Sequence, residues 1–495
     1  MRKSGVLLPV ASLPGKYGIG TFGKEAYRFI DCLKEAGQTY WQILPLGPTG
    51  YGDSPYQSFS TFAGNPYYID LPTLVEEGLL KEDDLEAFDW GDNESYIDYE
   101  KIYLSRFKVL RIAYKNCNLE YNGAFWEFVN DNRFWLEDYA LYMAVKNAFD
   151  GKSFAEWDDD IRLRKEEALN RYKNTYADEI NFYRFQQFLF MKQWKKLKKY
   201  ANDNGILIIG DIPIYVAFDS ADTWSNPKLF QFDEDCKPVA VAGCPPDAFS
   251  DLGQLWGNPL YKWDFHEQTG YDWWVKRMAH CRKLYDVVRV DHFRGFDSYY
   301  AIPYGNKDAQ EGKWEQGPGM KLFDTLRERL GETQIIAEDL GFLTPSVLEL
   351  VKNSGFPGMK VLQFAFDPRE PNDYLPHNYP GNCVVYTGTH DNDTLLGWLT
   401  ELGSEDRKFA REYMGMAIDE PEKIAENVIR LAMRSIAKIC IVPIQDYLGK
   451  DGSARINKPA TLGDNWKWRM SKEEFDEQVI RKIQRMTWLY GRLAH

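Results

Sequence analysis

The chain has 495 residues, of which 44% are hydrophobic and 27% are charged, and its formal net charge is −14. This composition is typical of a globular protein, and a net negative charge without a basic tract argues against binding to nucleic acid or to an anionic membrane surface. No apolar stretch approaches the roughly 20 residues that a membrane-spanning helix needs. We therefore expect neither nucleic acid nor a membrane among its partners.

Seven cysteines are scattered along the chain without the close spacing of a metal site or of a disulfide framework. An odd, dispersed set of this kind indicates reduced thiols. A glycosylation sequon, Asn392-Asp393-Thr394, directly follows Asp391, which is an arrangement poorly suited to a secreted protein. Both features predict a cytoplasmic location.

The first elements along the chain form a βαβ unit. Residues 6–10 and 41–46 are apolar and predict two strands, and residues 23–36 between them place apolar side chains at helical spacing. Residues 18–23 match the GxGxxG dinucleotide fingerprint, but no Asp or Glu ends the second strand, as that type of site requires. A Gly-rich loop is the better interpretation, and a nucleotide-dependent oxidoreductase rests on this match alone.

The next segment, residues 46–71, is a long loop that is rich in Gly, Pro, Ser and Tyr. Loops of this length in compact proteins are usually functional or disordered, and the aromatic content argues against disorder. Residues 72–199 then show amphipathic helical patterns, one of them continuous over residues 125–147. We expect inserted helical subdomains at about residues 65–180.

A third strand is predicted at residues 206–211, and it ends on a carboxylate, Asp211. The segment at about residues 217–262 is punctuated by Pro and Gly and contains Trp256. Such a segment is typical of an inserted lid loop over an active site, and the alternative is a packed surface loop anchored by Trp256. A lid with an aromatic side chain would exclude water from the site beneath it.

Three later apolar runs deliver a carboxylate at or just after the strand end: Asp291, Glu338 and Asp391. Two further strands are predicted at residues 360–364 and 439–442, which completes a set of eight. In a (β/α)8 barrel, catalytic groups sit at the carboxyl ends of several strands. We therefore predict an α/β fold, a (β/α)8 TIM barrel with large, mostly helical insertions after strands 2 and 3. Residues 1–495 would form a single catalytic domain.

The three carboxylates suit glycosidic bond chemistry. Arg289 and Asp291 are two residues apart on a strand and so share one face; the guanidinium keeps the Asp291 carboxylate ionised, as a nucleophile needs, and a structural ion pair is the alternative. Two carboxyl groups about 5–5.5 Å apart give a covalent glycosyl-enzyme and retained configuration. Glu338, with a pKa raised by neighbouring carboxylates, would be the general acid and then the base. Asp391 and His390 would hydrogen-bond sugar hydroxyls and distort the ring.

Three carboxylates can also hold a metal ion. Barrel enzymes with metals usually add several His ligands. The chain has only six His, and of these only His292 and His390 fall near the predicted site. We therefore expect no metal.

The segments around these residues resemble the 4-α-glucanotransferases, which are the amylomaltases or disproportionating enzymes of glycoside hydrolase family 77 in the α-amylase clan. The resemblance extends over nearly the whole chain, from Gly5 to Trp468. Six segments carry it: residues 52–58 (Gly-Asp-Ser-Pro-Tyr-Gln-Ser), 210–216 (Gly-Asp-Ile-Pro-Ile-Tyr-Val), 253–259 (Gly-Gln-Leu-Trp-Gly-Asn-Pro), 286–296 (Asp-Val-Val-Arg-Val-Asp-His-Phe-Arg-Gly-Phe), 335–341 (Ile-Ile-Ala-Glu-Asp-Leu-Gly) and 387–394 (Thr-Gly-Thr-His-Asp-Asn-Asp-Thr).

The resemblance implies a role for each matching residue. Asp291 is implied as the nucleophile, Glu338 as the acid/base and Asp391 as the transition-state stabiliser. Arg289, Asp211 and His390 are implied in binding the glucose at the cleaved bond, and the Tyr56 ring is implied to stack on it. Gln254 and Trp256 are implied to lie on the lid over the acceptor side, and Asn465 in the same region. Ser54 and His292, which lie within the matching segments, are also implied in substrate binding.

The resemblance also implies the substrates and the reaction. The family transfers part of an α-1,4-glucan, such as a malto-oligosaccharide or a fragment of starch or glycogen, to the 4-hydroxyl of another glucan or of glucose, or to its own far end. It needs no cofactor. A retaining α-glucan hydrolase shares the same three carboxylates and stays open as an alternative, although the lid favours transfer. A non-catalytic glucan-binding protein is a second alternative, against which the intact set of carboxylates argues.

Overall fold

The computed structural model describes residues 2–50, 52–246, 250–341 and 343–493. In chain order its strands are β1 (Lys3–Leu7), β2 (Tyr40–Gln42), β3 (Leu207–Pro213), β4 (Ala240–Cys244), β5 (Gln254–Pro259), β6 (Val287–Asp291), β7 (Ser298–Pro303), β8 (Lys313–Gln316), β9 (Ile335–Ala337), β10 (Gly358–Val361), β11 (Cys383–Tyr386) and β12 (Ile439–Pro443). Eight of them form a closed parallel barrel at the centre, in the order β1-β12-β11-β10-β9-β6-β3-β2, which confirms the predicted (β/α)8 barrel.

Helices surround the barrel and form the insertion between β2 and β3. Among the described residues, no helix combines the length and the apolar character needed to cross a lipid bilayer. The α-helices are α1 (Lys24–Glu35), α2 (Leu71–Glu76), α3 (Glu82–Glu86), α4 (Tyr99–Asn116), α5 (Gly123–Asp131), α6 (Arg133–Ala148), α7 (Asp159–Arg162), α8 (Glu166–Thr175), α9 (Ala177–Asp203), α10 (Ala221–Ser225), α11 (Trp263–Gln268), α12 (Asp272–Leu284), α13 (Met320–Leu330), α14 (Pro345–Ser354), α15 (Leu395–Glu401), α16 (Ser404–Met414), α17 (Pro421–Arg434), α18 (Ile444–Leu448) and α19 (Glu477–Leu489).

Alternation along the strands decides which side chains fill the barrel. In β6, Val287 belongs to the apolar cluster inside the barrel, whereas Val288 and Val290 belong to the larger core that includes the surrounding helices. Because side chains two apart in a strand point the same way, Arg289 and Asp291 follow Val287 on the inner face. The same strand therefore supplies both core and polar groups.

The first two strands begin earlier than their apolar runs predict. β1 starts at Lys3 and pairs with β2 through Gly5. A Cβ on Gly5 would lie 2.5 Å from Tyr40 O, so only glycine allows this close approach of the two strands. Where a strand begins with polar residues or Gly, hydrophobic periodicity does not predict its first residues.

The helix predicted over residues 125–147 is two helices, α5 and α6, because Asn132 interrupts it. Asn132 Nδ2 donates to Phe128 O at 2.9 Å, and Asn132 Oδ1 accepts from Trp135 Nε1 at 3.2 Å. Side-chain bonds of this kind compete with those of the helix backbone. The amphipathic pattern continues across the break and so did not reveal it.

Part of the expected lid loop at residues 217–262 is regular secondary structure, which corrects that prediction. It contains α10, β4 and β5, and residues 247–249 lie outside the described residues. β4 pairs antiparallel with β5 and with β7, and β8 completes a four-stranded sheet. The sheet joins segments that precede and follow β6, and local sequence patterns do not show such pairing.

Candidate active site

The three predicted carboxylates lie at the carboxyl end of the barrel. Asp291 is the last residue of β6, Glu338 directly follows β9, and Asp391 lies in the loop after β11. These strands are parallel, so their carboxyl ends open on one face. Asp211 of β3 stands beside them because it is in register with Arg289 of β6.

Arg289 joins two of the carboxylates. Its Nη1 lies 2.6 Å from Asp211 Oδ2, and its Nη2 lies 2.9 Å from Asp291 Oδ1. Burial disfavours the charge, but the Asp211 and Asp291 carboxylates outweigh that effect and raise the pKa of Arg289 well above its ordinary value. A permanent positive charge therefore lies directly against Asp291, whose side chain is 33% exposed.

Glu338 is half-buried and is oriented by backbone donors. His292 N donates to Glu338 Oε2 at 2.7 Å, and Leu340 N donates to Glu338 Oε1 at 2.9 Å. Burial, and then the nearby Asp291 charge, raise the pKa of Glu338 to about 7, against the opposing effects of Arg289 and the two donors. At neutral pH this carboxyl group can therefore both give and take a proton.

Asp391 is held from the segment that follows β12. Asn457 Nδ2 donates to Asp391 Oδ1 at 2.6 Å, and Arg455 Nη2 donates to Asp391 O at 2.6 Å. His390 Nε2 lies 3.3 Å from the same Oδ1. Asn457 and Arg455 were not among the predicted site residues, and the only sequence signal for them is that they follow the eighth strand.

Tyr56 packs on His390 and reaches the Arg289 network. The Tyr56 hydroxyl donates to Asp211 Oδ2 at 2.9 Å. Its ring is stacked on His390 with centroids 5.1 Å apart and planes 16° apart. Trp466 packs against both rings from a backbone with φ +67, a conformation that non-Gly residues adopt at functional or strained positions. Ser54 Oγ accepts from Tyr56 N at 3.3 Å, so Ser54 shapes the turn that presents Tyr56.

Trp256 connects the small sheet to the site through His292. Their rings meet edge to face at 4.7 Å. His292 has φ +56, and burial, with the Arg294 charge, lowers the pKa of its imidazole to about 3, so that the ring is neutral. Gln254 is exposed and its Oε1 accepts from Trp256 Nε1 at 3.1 Å. Both residues therefore stand at the solvent side of the site.

Asn465 is not joined to the other predicted residues. Its Oδ1 accepts from Lys458 N at 2.9 Å and its Nδ2 donates to Thr461 O at 2.9 Å, so the side chain closes its own loop. Within the described part of the chain it makes no hydrogen bond to the three carboxylates. The residue of this segment that reaches Asp391 is Asn457.

The Gly-rich segment at residues 18–23 is used for close packing. A Cβ on Gly20 would lie 1.9 Å from Val10 O, and a Cβ on Gly23 would lie 2.0 Å from Asp70 Oδ1. These glycines allow the backbone to approach its neighbours, which favours the Gly-rich loop over a dinucleotide site. Among the described residues, no group of three His, Cys, Asp or Glu is arranged to hold a metal ion.

Comparison with known proteins agrees with this architecture. The family model described as 4-alpha-glucanotransferase matches residues 8–474. The 4-alpha-glucanotransferase of Clostridium butyricum is 53% identical, over 98% of this chain and 99% of its own length, and that of Streptococcus pneumoniae is 50% identical, over 99% and 98%. An amylomaltase from Streptococcus agalactiae, solved in complex with acarbose, is 43% identical and superposes with a TM-score of 0.97 over 100% of both chains. The chain belongs to the 4-alpha-glucanotransferase family, glycoside hydrolase family 77.

Proposed function

We propose that this 4-α-glucanotransferase works through a covalent glycosyl-Asp291 intermediate, with Glu338 as acid and base. The observation that carries the proposal is the contact of Arg289 with Asp291 at 2.9 Å beside a Glu338 carboxyl whose pKa is about 7. One carboxylate is held against a fixed positive charge and the other keeps its proton near neutrality. Environments that separate two carboxyl groups in this way assign one to attack and the other to proton transfer.

In the first step, an Asp291 carboxylate oxygen attacks C1 of the glucose at the cleaved bond. The C1–O4 bond breaks, and Glu338 gives its proton to the departing O4, so the leaving glucan ends in a 4-hydroxyl. Positive charge develops at C1 and the ring oxygen. Asp391, held by Asn457 at 2.6 Å, is the nearby negative charge that would stabilise it.

In the second step, the 4-hydroxyl of an incoming glucan or glucose attacks C1. Glu338, now a carboxylate, takes the hydroxyl proton, and the bond from C1 to Asp291 breaks. Two displacements at C1 restore the α configuration. The enzyme returns to its starting protonation state.

The substrates proposed are α-1,4-glucans, with glucose as the smallest acceptor. The acarbose complex of the Streptococcus agalactiae amylomaltase supports this ligand class. Transfer exceeds hydrolysis only if the glycosyl-enzyme meets a sugar hydroxyl before water. Trp256, packed on His292 at the solvent side, is suited to exclude water and to contact the acceptor. The ring stack of Tyr56 and His390 would line the donor glucose.

The test of the reaction uses maltotriose and follows total reducing ends together with the ladder of chain lengths. Transfer predicts free glucose and longer chains at a constant number of reducing ends. A rise in reducing ends at the rate of glucose release would instead identify a hydrolase. No change in either signal would favour a non-catalytic glucan-binding protein.

The test of the intermediate uses the Glu338→Gln variant with α-maltosyl fluoride. Fluoride leaves without a proton, so the first step proceeds, whereas the second step lacks its base and the glycosyl-enzyme accumulates. Peptide mass spectrometry should find the maltosyl group on Asp291. An adduct on another residue, or none with this variant despite release of fluoride, would contradict the assignment.

A cytoplasmic location belongs to the same proposal. Cys32, Cys281, Cys383 and Cys440 are buried as free thiols, which supports a reducing compartment. Cell fractionation with activity assays would test it, and activity confined to the extracellular fraction would contradict it.

A further inference from the structure

A buried carboxylate outside the set above holds both ends of the loop that carries Asp391. Asp446 lies in α18, directly after β12, and is 5% exposed. Its Oδ2 accepts from Thr387 Oγ1 at 2.6 Å, and its Oδ1 accepts from Leu395 N at 2.8 Å. Thr387 directly follows β11, and Leu395 is the first residue of α15. We call residues 387–395 the Asp391 loop.

The two anchors fix where this loop leaves the barrel and where it ends. Thr387 is fully buried, so its hydroxyl has no access to bulk water. Leu395 N is one of the first N–H groups of a helix, which have no partner within the helix. Asp446 satisfies both groups with one side chain and so sets the separation of the loop ends.

The middle of the Asp391 loop is held by the same segment of the chain. Asn457 donates to Asp391 Oδ1, and Arg455 donates to Asp391 O. Asn457 N also donates to His390 O at 3.1 Å. Residues 444–457 therefore contact the loop at its two ends and at its tip, and the tip contacts act at the correct place only while the ends stay fixed.

We propose that Asp446 is a positioning residue for Asp391, which it serves by fixing both ends of the Asp391 loop. The proposal rests on the role assigned to Asp391 under the proposed function. A displacement of about 1 Å in a group that stabilises a transition state lowers the rate by roughly 10²-fold. A carboxylate that lies on a loop depends on the bonds beneath it for this precision.

The experiment compares Asp446→Ala and Asp446→Asn with a matched control, Asp286→Ala. Asp286 is also a hydrogen-bonded carboxylate, with Lys198 Nζ at 2.6 Å, Asn202 Nδ2 at 2.8 Å and Ile208 N at 2.8 Å. It precedes β6 and so lies at the opposite end of the barrel. The Asn variant keeps an oxygen and a polar group of the same shape at position 446, whereas the Ala variant removes both anchors.

The expected result for Asp446→Ala is a kcat for maltotriose disproportionation about 10- to 100-fold below wild type with KM nearly unchanged. Asp446→Asn should recover most of that loss, and Asp286→Ala should lower the melting temperature without lowering kcat. If Asp446→Ala does not fold, Thr387→Val removes one anchor alone and should lower kcat several-fold. A kcat for Thr387→Val, and for Asp446→Ala where it folds, equal to that of Asp286→Ala would overturn the proposal.

A second glycosyl donor, α-maltosyl fluoride, distinguishes an effect of Asp446 that acts through Asp391 from one that acts through Glu338. With α-maltosyl fluoride no acid is needed, but charge still develops at C1, so a defect that acts through Asp391 persists. A defect that vanished with this donor would place the effect on Glu338 and would overturn the proposal. Asp391→Asn is measured beside these variants. If it keeps full activity, the proposed function fails; if it loses activity while the Asp446 variants keep theirs, only the positioning role fails.

Discussion

The two ends of β6 each carry an aspartate, and the difference between them separates a structural carboxylate from a reactive one. Asp286, just before the strand, accepts from Lys198, Asn202 and Ile208, and its side chain is 19% exposed. Asp291, the last residue, is held through Oδ1 by Arg289 and is 33% exposed. Among the described residues, the first is saturated by donors and the second is not. An aspartate just before the strand thus uses its charge to hold the fold, whereas the aspartate at the carboxyl end of the strand keeps its charge available for reaction.

The largest expected effect comes from exchanging the two aspartates for asparagine one at a time. Asp291→Asn should lower kcat with maltotriose about 10⁴-fold or more, because removing a nucleophile removes the reaction path. Asp286→Asn should leave kcat within about twofold and lower the melting temperature, because it disturbs donors that only hold the fold. Glucose release and thermal unfolding measure the two effects. Similar kcat losses in both variants would contradict the distinction between a structural Asp286 and a reactive Asp291.

The next effect concerns Glu338. Glu338→Gln keeps acceptors for His292 N and Leu340 N but has no proton to transfer. We expect kcat/KM for maltotriose to fall roughly 10³-fold, while fluoride release from α-maltosyl fluoride in the first turnover stays near the wild-type rate. Stopped-flow detection of fluoride reports that turnover. An equal loss with both donors would show that Glu338 acts by something other than proton donation.

The pH dependence follows from the same group. Burial raises the pKa of Glu338 to about 7, and the first step needs its protonated form. As pH rises through this value the acid is lost, so kcat/KM for maltotriose should fall about tenfold per pH unit above it. With α-maltosyl fluoride this alkaline decline should be absent. Rate profiles between pH 5 and 9 for the two donors would check the prediction, and a decline of equal size for both would contradict it.

A smaller effect distinguishes two asparagines of the segment after β12. Asn457→Ala removes the 2.6 Å donor to Asp391 and should lower kcat about tenfold. Asn465→Ala removes bonds within its own loop and should leave kcat within about twofold. The sequence interpretation assigned the substrate region to Asn465, so equal activity of Asn457→Ala and wild type, with a loss for Asn465→Ala, would restore that assignment.

The smallest expected effect concerns the acceptor side. Trp256→Ala removes the ring that packs on His292 and opens the site to water. We expect the ratio of transfer to hydrolysis to fall several-fold while total donor cleavage changes less. Leu255→Ala is the control, since Leu255 is the exposed neighbour of Trp256 on β5 and points to the opposite face of the strand. An unchanged ratio for Trp256→Ala would remove the water-excluding role.

The sequence predicted the parts of the site that depend on one strand at a time. An apolar run that ends on an acid places Asp291 and Glu338 correctly, and the two-residue period of a strand brings Arg289 onto Asp291. The support of Asp391 was not predicted, because Asn457 contacts Asp391 and Asp446 contacts the ends of its loop from a segment more than 50 residues later in the chain. No local sequence pattern indicates such contacts. The small sheet escaped prediction for the same reason.

The break at Asn132 shows a different limit. The apolar stripe of α5 and α6 continues across it, since both helices bury side chains in the same core. The Asn132 side chain bonds to Phe128 and Trp135, which are close to it in sequence. The preference of an Asn side chain for such bonds over those of the helix backbone is too weak for the sequence to predict a break here. The predicted barrel is still correct, because the break between the two helices changes no strand.

Closure of the barrel has a consequence for biosynthesis. β12 is the strand that closes the ring by pairing with β1, and residues 444–457 behind it complete the support of Asp391. During synthesis Asn457 emerges after all eight strands of the barrel, so the contacts that hold Asp391 form after the strands that carry Asp291 and Glu338. A chain that ends between residues 391 and 455 has all three carboxylates but lacks the Arg455 and Asn457 donors to Asp391. We expect such a chain to transfer glucan far more slowly than the full sequence.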